Sequence, residues 1–188
     1  MSDTNNANPA ADNTDDNAMR NMPEGGNMPI VIHAQYIKDL SFENPDSPQS
    51  LKGLKDEPKM NINIGMDARK LPAELAGAEN YYEVVLNVRA EAKTPEALLF
   101  IAELQYGMTV SLNDVPEDQH HPVLLIEIPR MAFPYARQIL SDLTTQGGYP
   151  PLLLNPVDFH ALYLDRFKEE IAAQQAAAQS GAGQASVN

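Results

Sequence analysis

The chain has 188 residues, 43% hydrophobic and 21% charged, which is enough for one ordinary domain and too little for two full ones. Its 13 Lys and Arg against 26 Asp and Glu leave a net charge of −13, which disfavours nucleic acid as a partner and points to basic or uncharged surfaces. The absence of cysteine excludes a disulfide framework, a thiolate zinc site and a cysteine nucleophile, and the longest apolar run, residues 97–102, is far short of the ~20 residues of a membrane helix.

Residues 1–27 hold seven Asn, five acidic residues and a single Arg, with almost no large apolar side chains. Such a segment cannot bury enough surface to offset chain entropy, so it is expected to be a disordered acidic tail. It lacks the basic start and apolar core of a signal peptide. The folded body is expected over 28–171. It opens with four segments of period-two alternation, the mark of half-buried strands. In Ile30 to Glu43, one face takes Ile30, Ile32, Ala34, Tyr36, Leu40 and Phe42, and the other His33, Gln35, Asp39, Ser41 and Glu43. In 59–68, Met60, Ile62, Ile64 and Met66 alternate with Lys59, Asn61, Asn63 and Asp67. In 81–92, Tyr82, Val84, Leu86, Val88 and Ala90 alternate with Glu83, Asn87, Arg89 and Glu91. In 97–110, Leu98, Phe100, Ala102, Leu104, Tyr106, Met108 and Val110 alternate with Glu103, Gln105 and Thr109. Strands with one wet face predict an antiparallel sheet, because a doubly covered parallel sheet would read as continuous apolar runs. The link at 93–96 is short enough for a hairpin. The link at 44–58 is longer, of a length that crosses an edge rather than making a tight turn. Leu99 and Ile101 fall on the face of Glu103, either as incidental surface apolar residues or as part of a docking patch.

The period then changes. Phe133, Ala136, Ile139, Leu140 and Leu143 mark one helix face, with Gly147-Gly148 as its stop. Pro122, Pro129 and Pro134 make the start either a kinked helix or a short helix leading into a longer one. Asn155-Pro156 reads as the cap and first turn of a second helix carrying Val157, Phe159, Leu162, Tyr163, Phe167 and Ile171, with Asp158 suited to its dipole. Residues 172–188 have no charge and are expected to form a flexible Ala, Gln and Gly tail. Strands first and helices second predict an α+β fold, a four-stranded antiparallel sheet with two helices packed on one face. The apolar strings 123–126 and 152–154 exceed what one helix layer needs, which predicts a subunit interface or an open groove.

No phosphate-binding glycine loop, nucleophile elbow or His-Glu-x-x-His helix is present. His120-His121 after Glu117 and Asp118 reads as a solvated loop rather than a metal site, and His160 as a polar flank. Carboxylates on an open sheet face are not dehydrated enough for acid–base work. The residues therefore describe a binding protein, with no enzyme activity, metal or cofactor expected.

Four strings bear a closer resemblance: Tyr36 to Pro45 (YIKDLSFENP), Tyr82 to Leu86 (YEVVL), Phe133 to Arg137 (FPYAR) and Leu154 to Phe159 (LNPVDF). In order and separation they resemble SecB, the bacterial protein-export chaperone family, over about residues 28–170. The resemblance implies a cytosolic chaperone that holds unfolded secretory precursor proteins and delivers them to the SecA motor. It implies a homotetramer built as a dimer of dimers, with subunits joined through their sheets and dimers through the longer helix. By the same resemblance SecA docks at Asp39, Glu43, Ile101 and Glu103, and the client groove takes Leu51, Leu54, Met60, Ile62, Ile64 and Phe159. The uncharged C-terminal tail departs from the family's commonly charged one, which contributes to SecA binding. The alternative is an adaptor with the same acidic face that docks one folded partner and ignores unfolded chains.

Overall fold

The computed structural model describes residues 28–52, 57–72 and 80–168; the expected tails 1–27 and 172–188 lie outside the described residues. Strands β1 (Ile30–Glu43), β2 (Lys59–Lys70), β3 (Tyr81–Lys93) and β4 (Leu98–Leu112) form one antiparallel sheet in the order β1-β4-β3-β2. The β3–β4 link is tight: the Thr94 N–H donates to the Ala97 carbonyl at 2.9 Å, and the Ala97 N–H donates to the Thr94 hydroxyl at 3.1 Å. The link after β1 makes no tight turn: it carries the chain from one edge of the sheet to the other.

In β2, β3 and β4 the even-numbered residues face one way, and those of β3 and β4 are buried from Tyr82 and Phe100 onwards. β1 corrects the strict alternation. Its pairing with β4 shifts between Ile32 and Ala34 and again between Ile37 and Asp39, so His33 and Lys38 are extra residues. A bulge moves the alternation by one, and a second restores it. Ile30, Ile32, Leu40 and Phe42 therefore keep the expected face, while Ala34 and Tyr36 turn to the side away from the helices and Gln35 turns towards them. The hydrogen bonds agree: the Tyr106 hydroxyl on the helix side donates to Gln35 Oε1 at 3.1 Å, and Tyr36 bonds Glu83 on the other. A third shift, at Ala92/Lys93, makes Leu99 an extra residue of β4, and it is buried rather than on the open face.

Tyr36 pairs with Gly107. A Cβ at Gly107 would stand 2.6 Å from the Tyr36 ring, so glycine lets the ring lie across β4 and reach β3. This is the one strand position where the absence of a side chain is needed for a contact between non-adjacent strands.

Helix α1 covers residues 117–146 in three parts, Glu117–Pro122, a π turn Val123–Glu127, and Ile128–Gln146. The joins at Val123 and Glu127 keep helical φ and ψ, so the segment is one continuous helix interrupted by a π turn rather than two separate helices. Pro129 has no N–H to give, and the turn before it closes with the Ile128 N–H on the Val123 carbonyl. The helix stops at Gly148, with φ of 87°: the Tyr149 N–H bonds Thr144 O at 3.0 Å and the Gly148 N–H bonds Thr145 O at 3.1 Å. Helix α2 spans residues 159–168. Its cap is Asp158, whose carboxylate accepts the Ala161 N–H at 2.9 Å, and not the expected Asn155, because the chain is not yet helical at Pro156 and Val157. His120, read as loop, lies in the first part of α1 and is buried. Its Nε2 faces the Val115 carbonyl at 2.8 Å, which can only accept, so Nδ1 accepts from the Tyr82 hydroxyl at 2.9 Å.

The long part of α1 packs on β3 and β4. Residues on the same face of the edge strands are only partly covered. On β2, Met66 is 2% exposed, but Ile62 reaches 36% and Met60 42%. On the β1 side, Ile37, Leu40, Met131 and Tyr135 are exposed. Two apolar strips thus flank the helix layer. Because the Gly107 window is closed by a single methyl, Gly107→Ala is expected to cost about 1–3 kcal/mol through the clash with Tyr36. Urea unfolding measures this, and Tyr36→Ala made in the same background should recover part of the loss.

Candidate functional site

The face of the sheet turned away from the helices is built in cross-strand rows. Glu43 pairs with Ile101, which pairs with Glu91; Ser41 pairs with Glu103, which pairs with Arg89; Asp39 pairs with Gln105, which pairs with Asn87. Strand register alone therefore brings Asp39, Glu43, Ile101 and Glu103 onto one patch. Asp39, Arg89 and Glu103 border a shallow polar depression of about 220 Å³ floored by Asn87 and Gln105. Two basic residues belong to the patch: Arg89, which the sequence left as an ordinary wet-face side chain, and Lys93, which it left in the link after β3. Arg89 donates through one guanidinium nitrogen to Glu103 Oε1 and reaches Glu91 Oε2 through the other at 3.4 Å. Lys93 reaches Glu91 at 3.0 Å, and its hydrogen bond, followed by that of Arg89, holds the Glu91 carboxyl below its ordinary range. Asp39 and Glu43 make no ion pair among the described residues.

Beside this patch lies a second cluster. Glu83 is only 4% exposed, which corrects its assignment to a solvated face. The Tyr36 hydroxyl donates to Oε1, while Lys38 Nζ and Arg69 Nε donate to Oε2 at 2.9 and 2.5 Å. Burial by itself pushes this carboxyl up; the hydrogen bonds from Lys38, Tyr36 and Arg69 outweigh burial and bring it down to about 2. Burial and the bond to Glu83 push the Tyr36 phenol up to about 12. Sequence signals for this cluster were weak, since Lys38 is a bulge residue and Tyr36 sat in the wrong phase.

On the helix side, β2 and the segment running into α2 enclose an open groove of about 670 Å³. Ile62 and Ile64 form one wall; Leu154, Val157 and Leu162 form the other, with the carboxylates of Asp158 and Asp165 among the lining groups. Arg166 of α2 ties the two walls at one end, donating to the Met66 carbonyl and to Asp67 Oδ1 at 2.9 Å. Of the expected groove residues, Ile62 and Ile64 line it and Met60 continues the same exposed strip. Leu51 packs over Gly148 at the end of α1. Phe159 does not reach the groove surface: it is 1% exposed and meets Phe133 edge-on in the core. Leu54 lies outside the described residues. The crossover itself is anchored by Tyr149, whose hydroxyl sits 2.8 Å from Asn44 Oδ1, 2.9 Å from Ser50 Oγ and 2.9 Å from the Leu99 carbonyl. Val157 and Leu162 were read only as apolar residues of the second helix; the signal for the groove was the apolar surplus around 152–154.

The family profile of the preprotein translocase subunit SecB matches residues 24–170. This chain belongs to the SecB family. Protein-export protein SecB 1 of Gluconobacter oxydans is 43% identical over 81% of this chain and 91% of its own length. Protein-export protein SecB of Agrobacterium fabrum is 46% identical over 78% and 88%. In fold, the chain is similar to a Mycobacterium tuberculosis SecB-like chaperone solved in complex with a ChAD peptide from an antitoxin, with a TM-score of 0.55, 14% identity, and coverage of 68% of this chain and 90% of that one. Membership makes the chain a chaperone of preprotein export, and the four-stranded sheet with its two helices is the family's fold. No helix among the described residues is long and apolar enough to cross a membrane.

The Glu83 cluster sets a pH signature. A carboxyl held near 2 when folded, against 4.5 ordinarily, stabilises the fold fully above about pH 4.5, and that contribution is lost as pH falls towards 2. Tyr36 acts in the opposite direction, contributing below pH 10 and losing its contribution as pH rises through about 12. Glu83→Gln should therefore destabilise by about 1–3 kcal/mol at neutral pH, with the deficit narrowing between pH 4.5 and 2. Urea midpoints across that range decide it; a deficit that stays constant would refute the assignment.

Proposed function

We propose that this chain holds unfolded secretory precursor proteins along its apolar groove and passes them to the SecA motor, which docks on the acidic sheet face. It works in the cytoplasm as a homotetramer, a dimer of dimers, without catalysis or a cofactor. One observation carries the reading: the two candidate sites lie on opposite faces of one sheet, Asp39, Glu43, Ile101 and Glu103 on the open side and Ile62 and Ile64 on the helix side. A client and a docked partner can then be held together, which a hand-over requires. Carboxylates around a half-buried isoleucine complement a basic surface with some apolar contact. Flexible aliphatic walls without a deep, shaped pocket suit many unrelated sequences. The exposed strip of Ile37, Leu40, Met131 and Tyr135 on the β1 side supplies surface for subunit contacts.

Gel filtration with light scattering, alone and with a slow-folding unfolded client, tests the chaperone reading. A mass near four subunits that grows with client supports it; a particle that takes up no unfolded chain favours the adaptor. Ile62→Asp with Ile64→Asp should weaken client capture about tenfold or more and leave SecA affinity in place. Charge reversal at Asp39, Glu43 and Glu103 should do the converse, weakening SecA by at least about tenfold at low salt. Unchanged SecA affinity in a folded variant would sink the docking assignment.

A further inference from the structure

The acidic face carries its own counter-ion. Of its four carboxylates, Asp39 and Glu43 on β1 are unpaired among the described residues, whereas Glu103 and Glu91 are both engaged by Arg89. Arg89 lies opposite Glu103 in the strand register and borders the same depression as Asp39 and Glu103. A cation arriving at Glu103 from outside meets a guanidinium already there. The two cannot both donate along the same lone pairs at full strength, and unrelieved they repel each other. The pair is also cheap to break. Arg89 and Glu103 are each 44% exposed in their side chains, where water and salt weaken an ion pair, and Glu91, whose Oε1 is held by Lys93, offers Arg89 its Oε2, already 3.4 Å away.

We propose that Arg89 is an internal competitor for the docking carboxylate: a basic side chain of the partner takes Glu103 by displacing Arg89, which swings onto Glu91. This rests on the acidic face being the SecA dock and adds how that dock is tuned. The two β1 carboxylates, being free, supply the long-range attraction; Glu103 supplies an exchange step that only a partner presenting a lysine or guanidinium at that point completes. The Arg89 side chain is thus a specificity residue set against weakly basic or misaligned surfaces. The hydrogen bond to Glu103 also holds the Arg89 guanidinium firmly in its charged form.

The test is a double-mutant cycle on binding of purified SecA to the full chain at low salt, read by calorimetry, with capture of an unfolded client as the control for folding. Arg89→Gln is expected to tighten SecA binding about three- to tenfold, Glu103→Gln to weaken it, and Arg89→Gln in the Glu103→Gln background to change it little. In an Asp39→Asn background the gain from Arg89→Gln should persist. Arg89→Lys keeps the charge but loses the two-pronged contact, and should tighten binding by a smaller factor. If Glu103→Gln has no effect, the docking reading itself fails. If Glu103→Gln weakens binding but Arg89→Gln brings no gain, or an equal gain with and without Glu103, docking stands and the exchange is overturned, since the equal gain is what a general change in surface charge would give.

Discussion

β4 is hydrogen-bonded along its length to β1 on one side and to β3 on the other, and that double pairing decides which side chains of this protein meet water. It lines up Leu104, Tyr106, Met108 and Val110 beneath α1, and in the same stroke turns Ile101, Glu103 and Gln105 to the open face. The acidic patch is a by-product of this register, since its members come from three strands and share no sequence neighbourhood. Glu83 reinforces the arrangement. By accepting from Tyr36, Lys38 and Arg69 it joins β3 to β1 across the Gly107 window and to β2 directly, so strands that are not adjacent are locked to one another. A carboxylate this buried is tolerable only because both its oxygens are engaged by charged or polar donors.

The helix layer is narrower than the sheet. α1 covers the central strands and leaves the outer apolar positions of β1 and β2 partly bare. Burying one large aliphatic side chain is worth about 1.5–3 kcal/mol, so each strip holds several kcal/mol that the lone subunit does not use. The β2 strip meets α2 and the segment before it and becomes a groove; among the described residues no element covers the β1 strip. Asp158 caps the start of α2, and Arg166 ties α2 to the β2 backbone.

Period-two alternation was enough to read all four strands, the antiparallel sheet and most of both faces, because a half-buried strand must alternate. It failed where one extra residue entered. His33, Lys38 and Leu99 sit at register shifts, and nothing in their side-chain types announces a bulge, so Tyr36, Gln35 and Leu99 were put on the wrong sides. Glu83 followed from the same error: with Tyr36 in the wrong phase, no partner was visible to justify burying a carboxylate. Asn155-Pro156 was a good local cap signal, but the helix starts only after Asp158 and residues 154–157 instead line the groove. The docking residues and the groove as a site came from the resemblance in strings such as YIKDLSFENP and LNPVDF, while Arg89 needed cross-strand register to be seen beside Glu103. Leu154, Val157 and Leu162 could have been suspected from the apolar excess, but a helix face turned to a core and one turned to a groove have the same spacing.

The strand order also bears on how the chain comes together. β2, β3 and β4 follow one another and can pair as soon as each is made, whereas β1, first in sequence, has to wait for β4: Ile30 meets Leu112 and Glu43 meets Ile101. Closing that pairing joins segments about 60 to 80 residues apart, a slow step compared with forming a hairpin. Until β4 is made, β1 lacks the strand it pairs with in the finished sheet. During its own assembly this chain therefore carries an amphipathic strand whose apolar face has no partner.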